Sequence, residues 1–245
     1  MIKIISFDFW NTLVQDKHST LRIPLIQERL ASWGHNRTQE EIWDLFTPLA
    51  EKLITADRSN GAKHRSVLRI LEELLVSLAI SVDVSKKQQL LVEVEEVMLQ
   101  DPPELHAHAK EVVQELAKQY RIGLISDTGI TPGRTLRKVL ERHDILQYIE
   151  FCSFSDETGY CKPHPKAFSP LLEYFHVRPE EVIHVGDLLH TDVAGAKALG
   201  IHSIHLNHPI SSAHTYVKTI SEGISADFEI STLREIPTIL QSFGD

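Results

Sequence analysis

The stretch Ile2-Lys3-Ile4-Ile5-Ser6-Phe7-Asp8-Phe9-Trp10-Asn11-Thr12-Leu13 decides how the rest of the chain is read. Its first six residues are nearly all apolar and rich in β-branched side chains, the kind of run that forms a strand buried on both faces. The run stops at a carboxylate, so the strand delivers Asp8 to its carboxyl end. Four later runs share this character: Ile122–Ile125, Ile149–Phe154, Val182–Val185 and Ile201–Leu206. Helical periodicity fills the intervals at Glu111–Gln119, Arg134–Arg142, Lys166–Phe175 and Asp192–Leu199, the last closing on Gly200 as a helix-terminating glycine. Strands and helices alternating at these lengths imply right-handed crossovers. The expected fold is therefore α/β, a Rossmann-like parallel sheet with helices on both faces.

The alternation breaks once. Between residues 19 and 98 no strand-like run occurs, and apolar residues recur at helical spacing: Leu21, Leu25 and Ile26, then Ile42, Leu45, Phe46 and Leu49, then Val67, Leu68, Leu71, Leu74, Leu75 and Leu78. An all-helical domain is thus expected at 19–98, inserted into an α/β core made of 1–18 and 99–245. Asp101-Pro102-Pro103 marks the return to the core, because the residue before a proline is driven out of the helical region. Trp33 and Trp43 fall on apolar positions of the helical pattern and are expected inside the insertion's own core.

Composition narrows the function classes. The 245 residues are 42% apolar and 24% charged, an ordinary globular mixture. A net charge of −9 provides no basic field to neutralise a nucleic acid or to hold an anionic membrane. Cys152 and Cys161 form no CxxC pair, which fits a reducing, cytoplasmic setting. About six apolar residues precede Asp8, too few for a signal sequence, and no run approaches the ~20 residues of a membrane span.

In an open parallel sheet, ligands bind beyond the carboxyl ends of the strands, where strand order reverses. The residues just after each apolar run are therefore the informative ones. They are Asp8, Trp10, Asn11 and Thr12; Ser126, Asp127 and Thr128; Asp156 and Lys162-Pro163; and Gly186-Asp187 with Asp192. Carboxylates, a hydroxyl and a lysine converging on one crevice suit a hard divalent cation beside an anionic substrate.

These segments, in this order, resemble the four motifs of the haloacid dehalogenase-like hydrolase superfamily, in the subfamily with a helical (C1-type) cap. Asp8-Phe9-Trp10-Asn11-Thr12-Leu13 matches the first motif, Leu124-Ile125-Ser126 the second, Lys162-Pro163 the third, and Gly186-Asp187 through Asp192 to Gly195-Ala196 the fourth. Each alone is a weak signal, but four in order, each at its own strand end, are specific. The match covers most of the chain outside the helical insertion. It implies that Asp8 is a nucleophile forming a covalent intermediate. It also implies Mg²⁺ held by Asp8, the Trp10 carbonyl and Asp187, phosphoryl oxygens held by Ser126 and Lys162 with Asp127 beside them, and Asp192 orienting the lysine or metal-bound water. The implied reaction is hydrolysis of a small phosphorylated metabolite under a mobile cap. A lone Asp at a strand end is commonly a turn cap; capping accounts for neither the lysine nor the joint order.

One position departs from the pattern. Trp10 stands where most phosphatases of this family carry a second Asp, the general acid and base. Indole only donates a hydrogen bond, and the missing catalysis is typically worth about 10²–10⁴-fold. Three alternatives stay open for that reason: a catalytically weak protein that binds a ligand or partner, a 2-haloacid dehalogenase, or a phosphonatase-like enzyme. By resemblance, dehalogenases need no metal and generally carry Ser and Asn where this chain keeps Gly186-Asp187. A phosphonatase needs a cap lysine, for which Lys17, Lys52 and Lys63 are candidates by count alone. Asp127, where the superfamily often has Asn, reads as a replacement proton donor or as a loop cap. His106, His108, His184 and His190 lack zinc-type spacing; His190, inside the Asp187–Asp192 loop, and His164, after the Lys162-Pro163 turn, read either as an acid reaching the crevice or as solvated or packing residues. Arg58, Lys63, His64 and Arg65 form a basic cluster that either meets an anionic leaving group or is a solvated face.

Overall fold

The computed structural model describes residues 1–15, 20–55, 63–207 and 222–243, excluding the side chains of 52–55. Six parallel strands make one sheet: β1 (Ile4–Phe7), β2 (Arg121–Ser126), β3 (Phe151–Phe154), β4 (Val182–Gly186), β5 (His202–Leu206) and β6 (Phe228–Ile230), in the order β3-β2-β1-β4-β5-β6. The α/β Rossmann-like class expected from the sequence is what the chain adopts. β6 was not expected. Phe228-Glu229-Ile230 is too short to register as an apolar run, and it pairs only with β5 at the sheet edge.

β1 lies inside the sheet between β2 and β4, and its side chains alternate between two apolar layers. Ile5 and Phe7 face a layer with residues of Ala109–Leu116, Gly133–Arg142 and Ile236–Gln241. Ile4 faces Phe168, Leu171 and Phe175 of Pro165–Phe175 and Ala196 of Ala194–Ala198 on the other side. All three β1 side chains are fully buried, each contributing about 1.5–3 kcal/mol of transfer free energy. Helices on both faces follow from this two-sided burial, which leaves only the strand ends open to solvent.

Among the described residues, four α-helices lie between β1 and the core helix at Ala109–Leu116: α1 (Arg22–Ser32), α2 (Gln39–Thr55), α3 (Val67–Ser77) and α4 (Val84–Glu96). Their inner residues, among them Ile26, Leu30, Ile42, Phe46, Leu71, Leu74, Leu90 and Val94, form an apolar cluster separate from the two sheet layers. Trp33 packs against this cluster, whereas Trp43 is 57% exposed, contrary to the sequence expectation. Ile42 and Phe46, one turn apart, take the inner face of α2, and the residue after Ile42 is rotated outward by about 100°. Lys17, Arg58 and Asn60-Gly61 lie outside the described residues, as does the side chain of Lys52. Lys63 and Arg65 are exposed, while His64 turns toward the core. Among the described residues, no helix is long and apolar enough to cross a membrane.

Candidate active site at the strand carboxyl ends

The carboxyl ends of β2, β1 and β4 open on one edge of the sheet, where strand order reverses: the chain runs from β1 to β2 and β3 on one side, then crosses to β4 on the other. Asp8 follows β1 directly. Its N–H donates to the Val185 carbonyl at 2.9 Å, carrying the β1–β4 pairing one residue past the strand. A tight turn comes next. The Phe9 carbonyl accepts the Leu13 and Val14 amides, the Asn11 amide donates to Val14 at 2.7 Å, and Asn11 takes a left-handed φ of 53°. Asn tolerates that conformation better than most residues. The Trp10 carbonyl takes no part in this exchange, and the Trp10 ring stands edge-on to Phe9 with centroids 4.8 Å apart.

Lys162 reaches the same edge from the loop after β3. Its backbone amide donates to Asp127 Oδ1 at 2.9 Å, and its Nζ lies 2.6 Å from both Asp8 Oδ1 and Asp192 Oδ1. Asp127 thereby ties the β2 loop to the lysine loop, which favours the loop-cap reading of that residue. Asp156, an acid on the path to Lys162, accepts the Gly133 amide at 3.0 Å and serves the start of the Gly133–Arg142 helix.

Asp192 sits on a wide π-type turn, Leu189–Val193, that folds it back over the end of β4. Its Oδ1 meets Lys162 and His184 Nε2 at 3.1 Å; its Oδ2 accepts the Leu188 amide at 3.1 Å and lies 3.4 Å from Thr191 Oγ1. His184 Nδ1 lies 2.9 Å from Ser6 Oγ. The network assigns the tautomer: Ser6 donates to Nδ1, and Nε2–H donates to Asp192. A buried chain thus runs Ser6, His184, Asp192, Lys162, Asp8. The sequence excludes His184 from a zinc-type set and does not show this wiring. A signal existed, since Ser6 and His184 are polar residues inside two apolar runs and pair directly across β1 and β4.

Close packing enforces this arrangement. A methyl group on Gly186 would lie 2.2 Å from Asp192 Cγ, so only glycine lets the Asp192 side chain lie against the strand end. Gly186→Ala is expected to displace Asp192, release Lys162 and destabilise the fold by about 1–3 kcal/mol, the usual cost of overpacking. Urea unfolding checks this; an unchanged midpoint would show that Asp192 is not held against Gly186.

The electrostatics follow from burial. Asp8, Lys162, Asp187 and Asp192 are each 5% exposed or less. Burial pushes Asp8 well above the ordinary carboxylate range; Lys162 opposes the shift, and Asp192 and Asp187 add to it. Burial works against the Lys162 charge too, but Asp192 and Asp8 outweigh it and keep the ammonium protonated. For Asp192, burial is overcome by Lys162 and His184, which hold its carboxyl well below the usual range. His184 is lowered by burial despite Asp192 and is neutral near pH 7.

Oxygens of Asp8, Asp187 and Asp192 lie within 4.8 Å of one another. Both Asp192 oxygens are committed to donors, so Asp8 and Asp187 are the carboxylates suited to a cation. Asp8 Oδ1 is buried beside the Lys162 ammonium, 2.6 Å away. The Asp187 carbonyl is held by His205 Nε2 at 3.0 Å. Three carboxylates against one ammonium, with hard oxygen donors, fit a small divalent ion. Ser126, 2% exposed, closes β2 on the opposite side of Asp8 from β4, its hydroxyl 3.3 Å from the Asp127 carbonyl.

The helical insertion also reaches this edge. His64 Nδ1 lies 3.1 Å from Ser155 Oγ, which in turn accepts the Thr128 amide at 2.9 Å. Burial lowers the His64 pKa, with Asp156 and Asp127 opposing. Arg22, at the start of α1, donates to Thr131 Oγ1 at 2.9 Å on the loop that begins at Ser126.

The family model described as haloacid dehalogenase-like hydrolase matches residues 2–200. A glyceraldehyde 3-phosphate phosphatase of Pyrococcus furiosus is 38% identical over 97 residues, 39% of this chain and 39% of that protein. A ribulose-1,5-bisphosphate 5-phosphatase of Halopiger xanaduensis is 32% identical over 133 residues, covering 54% of this chain and 55% of that protein. The chain thus spans about two fifths to about half the length of these relatives. Among solved structures, a 2-haloacid dehalogenase from Pseudomonas syringae superposes with a TM-score of 0.69 at 24% identity, covering 99% of this chain and 100% of that one, and so shares the fold. With the family model matching through all four strand-end segments, the chain belongs to the haloacid dehalogenase-like hydrolases.

Proposed function

We propose that this hydrolase is a phosphatase of small phosphorylated metabolites that works through an aspartyl-phosphate on Asp8. The observation that carries the reading is the buried group of Asp8, Lys162, Asp192 and Asp187 at one sheet edge, a site with the donors for a cation and an ammonium for an anion. Asp8 and Asp187, with the Trp10 carbonyl, would hold Mg²⁺, which when bound offsets carboxylate charge and shields the approach of a phosphoryl group to Asp8.

Asp8 attacks phosphorus through a carboxylate oxygen, the bond to the leaving oxygen breaks, and water then cleaves the acyl-phosphate at phosphorus. Lys162 stays protonated and binds phosphoryl oxygens together with the Ser126 hydroxyl. Asp192 holds the lysine in place and leaves substrate alone. The helices between residues 19 and 98 act as a cap that excludes water, reaching the strand ends through His64 and Arg22. Trp10 supplies no proton, so turnover is expected to be slow with poor leaving groups and faster with acidic ones such as p-nitrophenolate, whose departure needs no general acid.

The named relatives support a phosphoester substrate, since each is a phosphatase of a sugar-type phosphate by its name. Retention of Asp187 beside Asp8 speaks for phosphoryl transfer over halide displacement. The test is phosphate release from a panel of phosphoesters with Mg²⁺ and with EDTA. Release that requires Mg²⁺ is expected; no release from any ester would overturn the reading in favour of a binding protein.

A second prediction concerns the cation alone. Mg²⁺ at millimolar concentration is expected to raise the melting temperature, because a ligand that binds only the folded state stabilises it by about 2.7 kcal/mol at a hundredfold excess over its dissociation constant. The rise should vanish in Asp187→Asn. An equal rise in that variant would place the ion elsewhere.

A further inference from the structure

Arg22 is a buried charge to which the chemistry above gives no contact with substrate. It is 8% exposed, and among the described residues no carboxylate lies within ion-pair distance of it. Among the described residues its one hydrogen bond goes from a terminal guanidinium nitrogen to the Thr131 hydroxyl, and its Nε is buried with no acceptor. A single neutral hydroxyl does not offset the desolvation of a guanidinium, which ordinarily requires a carboxylate or phosphate partner. Methionine or leucine would fill the same volume without that cost.

The surroundings add to the imbalance. Arg22 is the first residue of α1, whose N-terminus has no side-chain cap and no acid in its first turn. A helix N-terminus favours negative charge, so a buried cation there is doubly unfavourable until an anion arrives. Burial alone lowers its pKa to about 10, the behaviour of a cation with no counter-ion. The partner Thr131 belongs to the loop that runs from Ser126 and Asp127 to the Gly133–Arg142 helix, and its amide folds back onto the Thr128 carbonyl at 3.1 Å. The guanidinium is therefore a donor from the inserted helices set against the loop that follows Ser126 at the end of β2.

We propose that Arg22 recognises a second anionic group of the substrate, a carboxylate or a second phosphoryl group carried by the leaving portion. The inference rests on the phosphatase reading for its substrate, and it narrows the metabolite to one bearing two anionic ends. Guanidinium suits both anions because its parallel N–H groups match their paired oxygens.

The test is calorimetric binding in excess Mg²⁺ of three non-hydrolysable probes: methylphosphonate with one anionic group, phosphonoacetate with an added carboxylate, and methylenediphosphonate with an added phosphonate. The wild type should bind at least one of the two-ended probes about tenfold or more tightly than methylphosphonate, the ratio one charge-assisted hydrogen bond supplies. Whichever is preferred identifies the second group. Arg22→Met, which keeps the volume, should erase the preference and leave methylphosphonate affinity within about twofold, while Arg22→Lys should keep part of it. No preference in the wild type, or an equal loss for all three probes in Arg22→Met, overturns the inference. The wild-type comparison decides it even if a variant fails to fold. Hydrolysis of p-nitrophenyl phosphate, run in parallel, separates the two readings. Preference without turnover retains Arg22 and removes the phosphatase; turnover without preference does the reverse.

Discussion

Asp8→Asn is expected to lower kcat toward any phosphoester the protein hydrolyses by roughly 10³–10⁶-fold, the range seen when a covalent nucleophile is removed. Asn keeps the size and shape of the side chain but is a much poorer nucleophile. The expectation includes a structural control. Burial, Asp192 and Asp187 all work against the Asp8 charge, so the variant should melt no lower than the parent in the absence of Mg²⁺. Steady-state kinetics and a melting curve measure both. A variant that retains more than about a tenth of the parent rate would remove Asp8 from the covalent role.

Lys162→Met is expected to have the largest effect on stability. Its ammonium lies 2.6 Å from both Asp8 and Asp192 with side chains 3%, 8% and 1% exposed. Without it two buried carboxylates face each other unneutralised. Breaking a buried pair by removing one partner costs about 3–5 kcal/mol, which corresponds to a fall of about 6–20 °C in the melting temperature for a chain of this size. The comparison is Lys118→Met, whose pair with Glu115 has side chains 66% and 54% exposed. Exposed pairs contribute about 0–1 kcal/mol, so that variant should melt close to the parent. Similar losses in the two variants would mean that Lys162 is not the counter-charge of the site.

Much of this architecture was legible because it depends on local pattern. The run ending at Asp8 specifies a strand buried on both faces, and the same grammar locates β2, β4 and β5. The residues following those strands then converge, since parallel strands place their carboxyl ends on one edge. The segment at residues 228–230 escaped notice because three residues cannot express a run. Trp43 was misjudged because Ile42 and Phe46 already define the inner face of α2, and composition alone does not rotate a helix.

The long-range wiring was less legible for a different reason. His184 is joined to Ser6 across 178 residues, and Arg22 to Thr131 across 109. Ser6 and His184 could have been paired once β1 and β4 were set side by side. Arg22 offered no such clue. In Leu21-Arg22-Ile23 it reads as an ordinary helix charge, and its burial arises only when α1 meets the loop after β2.

As the proposed nucleophile, Asp8 itself would carry the phosphoryl group during turnover. Rapid acid quenching during turnover of p-nitrophenyl phosphate with Mg²⁺, followed by mass spectrometry of the peptide that contains Asp8, tests it most directly. A phosphoryl adduct on Asp8 that disappears when EDTA replaces Mg²⁺ is expected. Turnover with the adduct on another residue, or with Asp8 unmodified throughout, would contradict it.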